Sequence, residues 1–265
     1  MIKIVKRKIM KSNDLQTIYV MWLREMKRFL RSKSQLIGTL VIPFFFLFTM
    51  GFGFSSGFTL PNSIPNMNYL DFLVPGIIGL TMLYSSISAG ISVLWDKEFG
   101  FMKEIMVAPV SRIAIILGRI AGGVTTALIQ CILILIISIF MGLNVVSFWG
   151  IILSIIFMTL IGIGFIGLGV VIASIIEDTQ GFSLIMYFVI APIVLLSGVF
   201  FPVSNFPCWL RVLAYLDPLT YGVDGLRSSL IGFTQFPMSL SLGILAVFGI
   251  IMVLLSSYLF NKVKV

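Results

Sequence analysis

Few side chains in this sequence are suited to acid–base, nucleophilic or metal chemistry. The 265 residues include no histidine and two cysteines, Cys131 and Cys208. Without histidine, imidazole catalysis and the usual zinc and haem ligands are excluded. Ser85, Ser86 and Ser88 lie in an apolar run with no histidine or lysine to activate a hydroxyl group. We interpret them as helix-packing hydroxyls and expect no catalytic residue and no metal site.

A nucleotide-hydrolysing site is also missing from these residues. A phosphate-binding P-loop requires a Gly-Lys pair, whose backbone amides and ammonium group contact the phosphates. None of the 24 glycines is followed by lysine. If ATP drives this protein, we therefore expect a separate chain to hydrolyse it.

The composition and the apolar runs are those of a membrane protein. Hydrophobic residues make up 59% of the chain and charged residues 11%, whereas soluble domains have about 25% charged residues. Residues 120–176 carry no charge, which is enough for two crossings of roughly 20 residues joined by a turn at Gly142-Leu143-Asn144. The pattern predicts an all-α polytopic protein with six transmembrane helices at 35–54, 72–95, 120–142, 150–176, 182–201 and 239–260.

Lysine and arginine predict the orientation of these spans. They are concentrated in 1–34, in 96–119 and in the tail, whereas the other side has only Arg211 and Arg227. Both termini of this multi-pass cell-membrane protein are therefore expected in the cytoplasm. The net charge of +8 then reflects topology and lipid contact, not nucleic-acid binding.

The predicted spans also bear on the energy source. They contain no Asp, Glu, Lys or Arg, and ion-coupled carriers usually place ionisable residues inside the membrane. A proton-driven carrier is therefore disfavoured. An ion-gradient-driven carrier with an uncharged sodium site stays open.

Two segments on the predicted cytoplasmic side are not spans. Residues 14–33 repeat apolar side chains at steps of three and four, with basic residues mostly off that face, which indicates an amphipathic helix on the inner membrane surface. Residues 96–112 mix charged with apolar side chains and are longer than a turn requires. A short helix ending before Pro109 suits docking into a groove on another protein, and lying on lipid is the alternative for both segments.

A third segment, 202–237, lies on the predicted outer side. Its four prolines divide it into short helices, which we expect to be a half-buried pair at membrane depth. Asp224 and Arg227 are spaced i, i+3 and are expected to pair. We favour a structural plug over direct contact with a substrate.

Together these segments resemble the membrane subunit of ABC-2 type exporters, the family of daunorubicin-resistance, nodulation-factor and polysaccharide export permeases. The resemblance covers about Met21 to Phe260. Its motifs are Pro109-Val110-Ser111-Arg112 with Gly118-Arg119, Ser197-Gly198-Val199-Phe200-Phe201-Pro202 with one residue inserted, and Asp217-Pro218-Leu219-Thr220-Tyr221 leading to Arg227.

The resemblance implies a permease subunit of an exporter. The apolar and aromatic residues of the predicted spans favour a drug- or lipid-like substrate, with polysaccharide or lipid-linked glycan export as the alternative. The subunit is then not an enzyme and binds no cofactor, since ATP and Mg²⁺ would bind to two copies of an ABC ATPase. A second permease copy, identical or similar, would complete the complex. Within the chain, 1–34 would form a cytoplasmic part with an interface helix, and 35–265 the six-helix domain with a coupling helix at 97–108.

Two sets of site residues follow from the resemblance. The ATPase interface would comprise Trp22, Arg24, Glu25, Arg28, Lys97, Glu98, Phe101, Lys103, Glu104, Pro109 and Arg112. The outer re-entrant segment would comprise Pro202, Asp217, Pro218, Tyr221, Asp224 and Arg227.

Overall fold

The computed structural model describes residues 2–53, 68–101 and 110–262, and within these ranges every regular element is helical. In chain order the helices are α1 (Ile2–Arg31), α2 (Lys33–Gly53), α3 (Tyr69–Glu98), α4 (Arg112–Phe140), α5 (Phe148–Ile175), α6 (Thr179–Leu196), α7 (Cys208–Leu216), α8 (Pro218–Ile231) and α9 (Met238–Lys262), with a 3₁₀ turn at Val203–Asn205. The all-α prediction is confirmed. Most of the predicted coupling helix, including Lys103 and Glu104, lies outside the described residues, as does Pro109 after it.

Five of the described helices are long and apolar enough to cross a membrane. They are α3, α4, α5, α6 and the part Met238–Phe260 of α9. The chain is therefore a multi-pass membrane protein, as its composition predicted. α2 has 21 residues, but its described apolar part, Ile37–Gly51, is shorter than the other five. The sixth span, at 35–54, stays a prediction.

Two of the predicted span boundaries were wrong. α4 begins at Arg112 instead of near residue 120, because Ser111 caps it by accepting a hydrogen bond from the Ala114 backbone N–H at 3.2 Å. Arg119 therefore lies inside a helix and not in a loop. α6 ends at Leu196 instead of residue 201, because the chain turns at Gly198, which has φ 72°.

α3 and α5 form the centre of the bundle. Large side chains such as Phe72, Phe157 and Phe165 are fully buried there. Gly169 of α5 lies so close to the Ser86 carbonyl of α3 that a Cβ atom would overlap it. This close contact joins the two helices around which the others are arranged.

α1 packs along α4 instead of only lying on a surface. Gly118 and Gly122 of α4 give it room, since a Cβ at either position would come within 2.6 Å of the Cβ atom of Met21 or Glu25, respectively. Met21 is buried, whereas Leu15 is 73% exposed. The predicted apolar face is thus split: part of it packs on the bundle, and part, with Leu15, faces outward.

The segment between α6 and α9 differs from the half-buried pair that was expected. Ala214 is the one buried residue in α7. In contrast, α8 is buried over most of its length, from Leu219 to Ile231, between α3, α5 and α9. α8 is therefore part of the core, and α7 covers its beginning.

Candidate functional site: the basic end of the bundle

Three helices meet at one carboxylate at the end of the bundle where α3 finishes and α4 begins, which we call the basic end. Asp96 of α3 is 4% exposed. Arg24 of α1 donates to it from both terminal nitrogens, Nη1 at 3.0 Å from Oδ2. Arg119 of α4, 3% exposed, donates from Nη2 to Oδ2. This group, the Asp96 cluster, joins α1, α3 and α4.

A second polar contact lies one turn later in α1 and one turn earlier in α3. Arg28 Nη1 donates to Ser92 Oγ at 2.6 Å. The Ser92 hydroxyl donates in turn to Glu25 Oε1 at 3.1 Å. The side chains of Glu25 and Arg28 therefore face the bundle, although the sequence pattern placed the basic residues of α1 mostly away from its packed face.

Aromatic side chains lie over two arginines of α1, Arg24 and Arg28. The Arg24 guanidinium lies 4.1 Å from the ring centre of Phe101, and that of Arg28 lies 4.8 Å from the ring centre of Trp95. Trp22 donates from Nε1 to Thr125 Oγ1 at 3.0 Å. Cation–π contacts of this kind hold an arginine in place while leaving other donors available.

An open groove of about 1170 Å³ runs along this surface. Its basic residues are Arg24, Lys27, Arg28 and Arg31, and its aromatic residues are Trp95, Phe99 and Phe101. We call it the basic groove. It lies beside the start of the predicted coupling segment, 97–108, whose residues 102–108 lie outside the described ranges.

The remaining predicted interface residues have other positions. Lys97 donates from Nζ to the carbonyls of Ala173, Ser174 and Ile176 at 2.7–3.2 Å, and so caps the end of α5. Glu98 is exposed, and Arg112 is the first residue of α4. Lys97 thus has a structural contact that the sequence did not predict, and its role towards a partner stays a prediction.

A cavity of about 220 Å³ lies beside the Asp96 cluster, between α1, α3 and α4. Its lining includes Glu25, Arg28, Arg119, Thr126 and Gln130. We call it the polar cavity. Gln130 is fixed by its own contacts, donating to Thr39 Oγ1 at 2.8 Å and accepting from Ser85 Oγ at 3.2 Å.

The outer re-entrant residues include a second buried arginine, Arg227, which lies at the start of α3. Arg227 of α8 donates from Nε to the Phe72 carbonyl at 3.2 Å and from Nη2 to the Gly198 carbonyl at 2.6 Å. Its guanidinium lies 3.6 Å from the ring centre of Phe72. Arg227 therefore connects α8 to α3 and to the turn after α6.

The expected pair between Asp224 and Arg227 was wrong. Among the described residues the two form no ion pair. Asp224 instead accepts from the backbone N–H groups of Gln235 and Phe236 at 2.8 and 3.1 Å and orders the turn before α9. The i, i+3 spacing does not lead to an ion pair here, because Arg227 donates to backbone carbonyls instead.

The other outer residues shape the start of α8. Asp217 caps it by accepting from the Leu219 backbone N–H at 2.9 Å, with Pro218 in its first turn. Burial raises the pKa of Asp217 to about 7, against the effect of that hydrogen bond. Tyr221 donates to the Tyr215 carbonyl at 2.9 Å, and Pro202 is buried before the 3₁₀ turn. These contacts support a structural role.

Sequence reasoning missed the Asp96 cluster, because Asp96 and Arg119 were both assigned to a loop. The signal was present: Ile113 to Leu117 continue the apolar run of α4 back towards Ser111, a capping residue. Within the described ranges, no three His, Cys, Asp or Glu side chains are grouped as metal ligands. What the structure shows at the basic end is an ionic contact that joins three helices.

The chain is similar to a known family of membrane transport proteins. The family model of the ABC-2 type transporter matches residues 16–231. The chain is 29% identical over 229 residues to the inner membrane transport permease YadH of Escherichia coli K12, covering 86% of this chain and 88% of the relative. It is 27% identical to the putative transport permease ycf38 of Cyanophora paradoxa, covering 80% and 73%. It is 28% identical to the probable multidrug ABC transporter permease YbhR of E. coli K12, covering 60% and 44%.

Proposed function

Since the chain belongs to the ABC-2 type transporter family, we propose that it is the membrane-spanning permease subunit of an ATP-driven exporter and that a separate ATPase chain hydrolyses the ATP. The observation that carries this proposal is the basic groove, a surface of arginine and aromatic side chains beside the coupling segment. Arginine and aromatic residues are the types enriched at protein interfaces. The 265 residues also offer no Gly-Lys pair for phosphate binding.

In this proposal the ATPase contacts residues 97–108 and the Arg24–Arg28 side of α1. The Asp96 cluster supports such coupling because it links α1 to α3 and α4. The contacts at Gly118 and Gly122 also hold α1 against α4. A displacement of α1 is then transmitted to two transmembrane helices, since these contacts resist sliding.

The complete transporter contains two permease copies, identical or similar, and two ATPase chains. Both termini and the basic groove lie in the cytoplasm, and α2 supplies the sixth span. α2 exposes Phe44, Phe45 and Phe48, which suit either lipid or the second copy. The substrate is a hydrophobic or amphipathic molecule, and the printed name of YbhR, a probable multidrug permease, supports a drug-like class.

An ion-driven carrier is disfavoured by the surroundings of Asp96. Asp96 lies in a transmembrane helix, but it is held between the guanidinium groups of Arg24 and Arg119. Both of its carboxylate oxygens already accept hydrogen bonds from these groups, which leaves it poorly placed to bind a transported ion. This supports a partner as the energy source.

The test is reconstitution into vesicles whose proton and sodium gradients have been collapsed. The chain alone should give negligible flux of a lipophilic dye such as Hoechst 33342. Adding the partner ATPase and ATP should restore the flux, whereas a non-hydrolysable ATP analogue should not. Gradient-dependent flux through the isolated chain, with no ATPase present, would overturn the proposal.

A further inference from the structure

The polar cavity contains a buried cation with unused donors. Arg119 is 3% exposed and uses Nη2 on Asp96. Its Nε and Nη1 atoms are buried and have no hydrogen-bond partner among the described residues. Buried polar groups nearly always have a partner, so two nitrogens of one guanidinium without an acceptor indicate that something else occupies this site.

The charges around the cavity favour a negative occupant. Three guanidinium groups, of Arg24, Arg28 and Arg119, surround two carboxylates, of Glu25 and Asp96. Asp96 is shared between Arg24 and Arg119, and Glu25 receives its hydrogen bond from Ser92. Counted together, these five groups carry one surplus positive charge, and of them Arg119 and Asp96 are buried whereas Arg24, Glu25 and Arg28 are half-buried. Water would satisfy the donors of Arg119 but would leave that charge without a counterion.

We propose that the polar cavity is a binding site for a phosphate group, held by Arg119 with Arg28 beside it. A planar guanidinium binds such groups through two parallel N–H donors, and Nε together with one Nη forms such a pair. The other polar side chains that line the cavity are Glu25, Ser85, Ser88, Ser92, Thr126 and Gln130.

Size and access limit what the ligand is. A cavity of 220 Å³ has the volume of about seven water molecules, which fits a phosphate and the few atoms attached to it but not acyl chains. Arg28 and Trp95 line both the cavity and the basic groove, so the ligand enters from the groove. Its source is either the headgroup of an anionic lipid or a soluble phosphate.

The first experiment measures thermal unfolding of the purified protein in a neutral detergent. Inorganic phosphate and dihexanoyl phosphatidic acid are titrated in turn, with sodium chloride at matched ionic strength and dihexanoyl phosphatidylcholine as controls. We expect a saturable rise in Tm with at least one of these two phosphate probes and none with the two controls. A response to both probes assigns recognition to the phosphate alone, and a response only to the short-chain lipid assigns it to a lipid headgroup. Equal responses to the probes and the controls would overturn the proposal.

The second experiment tests the residue. Arg119→Gln should weaken binding of the responding probe at least tenfold, whereas Arg211→Gln, on α7 and outside the cavity, should not. If Arg119→Gln does not fold, Ser88→Leu fills the cavity while all three charged side chains of the Asp96 cluster stay present, and it should have the same effect on binding. Unchanged affinity in the folded variants would place the anion elsewhere and refute the assignment. Binding needs no ATPase, so this result is independent of the proposed coupling.

Discussion

Asp96 is the residue whose surroundings most clearly require its charge. It is the one carboxylate that contacts both Arg24 and Arg119. Asp96→Asn keeps the size of the side chain but leaves Arg119 buried without its counterion. Breaking one partner of a buried pair costs about 3–5 kcal/mol. We therefore expect a large fall in Tm of the purified protein and a lower yield from membranes.

The matched control for Asp96→Asn is Glu98→Gln, two residues further along α3. Glu98 is exposed, so this amide substitution should change the free energy of unfolding by less than about 0.5 kcal/mol. If both variants unfold at the same temperature as the wild type, the Asp96 cluster contributes nothing measurable to stability.

At the scale of single residues, the sequence did not indicate the hydrogen-bond partners of the buried polar side chains. Arg227 was identified through its motif, but its acceptors are carbonyls of Phe72 and Gly198, which are distant in the chain. Every residue has a backbone carbonyl, so the residue types do not show which carbonyl accepts a hydrogen bond. A sequence therefore suggests an ion pair where a backbone carbonyl is the actual acceptor. The partner given to Arg227, Asp224, was for that reason wrong.

Between helices, glycine decides how closely α1 approaches α4. A Cβ atom at Gly118 would come within 2.6 Å of Met21 Cβ and 2.8 Å of the Ile18 carbonyl oxygen. We expect Gly118→Ala to destabilise the protein by about 1–3 kcal/mol, since overpacking at a tight contact forces the backbones apart. Thermal unfolding in detergent measures this.

Gly243→Ala in α9 is the control, because a Cβ there meets nothing within 4 Å. Alanine has the higher helix propensity, by up to about 1 kcal/mol, so Gly243→Ala should be neutral or stabilising. A Gly118→Ala variant as stable as Gly243→Ala would mean that α1 is held to the bundle only by its side chains.

Helix existence was predictable, whereas helix ends and burial were less so. Apolar runs of spanning length led directly to α5 and α9. In contrast, α8 has the mixed composition of a surface helix, with Asp224 and Arg227, yet it is buried. Its polar groups are satisfied by backbone groups of α3 and of the turns after α6 and before α9, which a single sequence does not show.

For the whole molecule, the all-helical membrane fold and the family follow from the sequence, while the direction of insertion rests on lysine and arginine alone. Sixteen of the eighteen lie in the segments assigned to the cytoplasm. The structure gives this prediction a physical basis, because the basic groove and the Asp96 cluster are at one end of the bundle. If that end faces the cytoplasm, α7 is at the outer surface.

The native cysteines allow this orientation to be tested directly. Cys208, in the first turn of α7, is exposed, and Cys131 is buried in α4. In intact cells or right-side-out vesicles, the wild-type protein should react with a membrane-impermeant maleimide, and Cys208→Ser should abolish the reaction. Glu98→Cys added to Cys208→Ser places a thiol at the basic end, and it should react only after the membrane has been permeabilised. The reverse pattern, with Glu98→Cys labelled from outside and Cys208 protected, would invert the molecule and put the basic groove out of reach of a cytoplasmic ATPase.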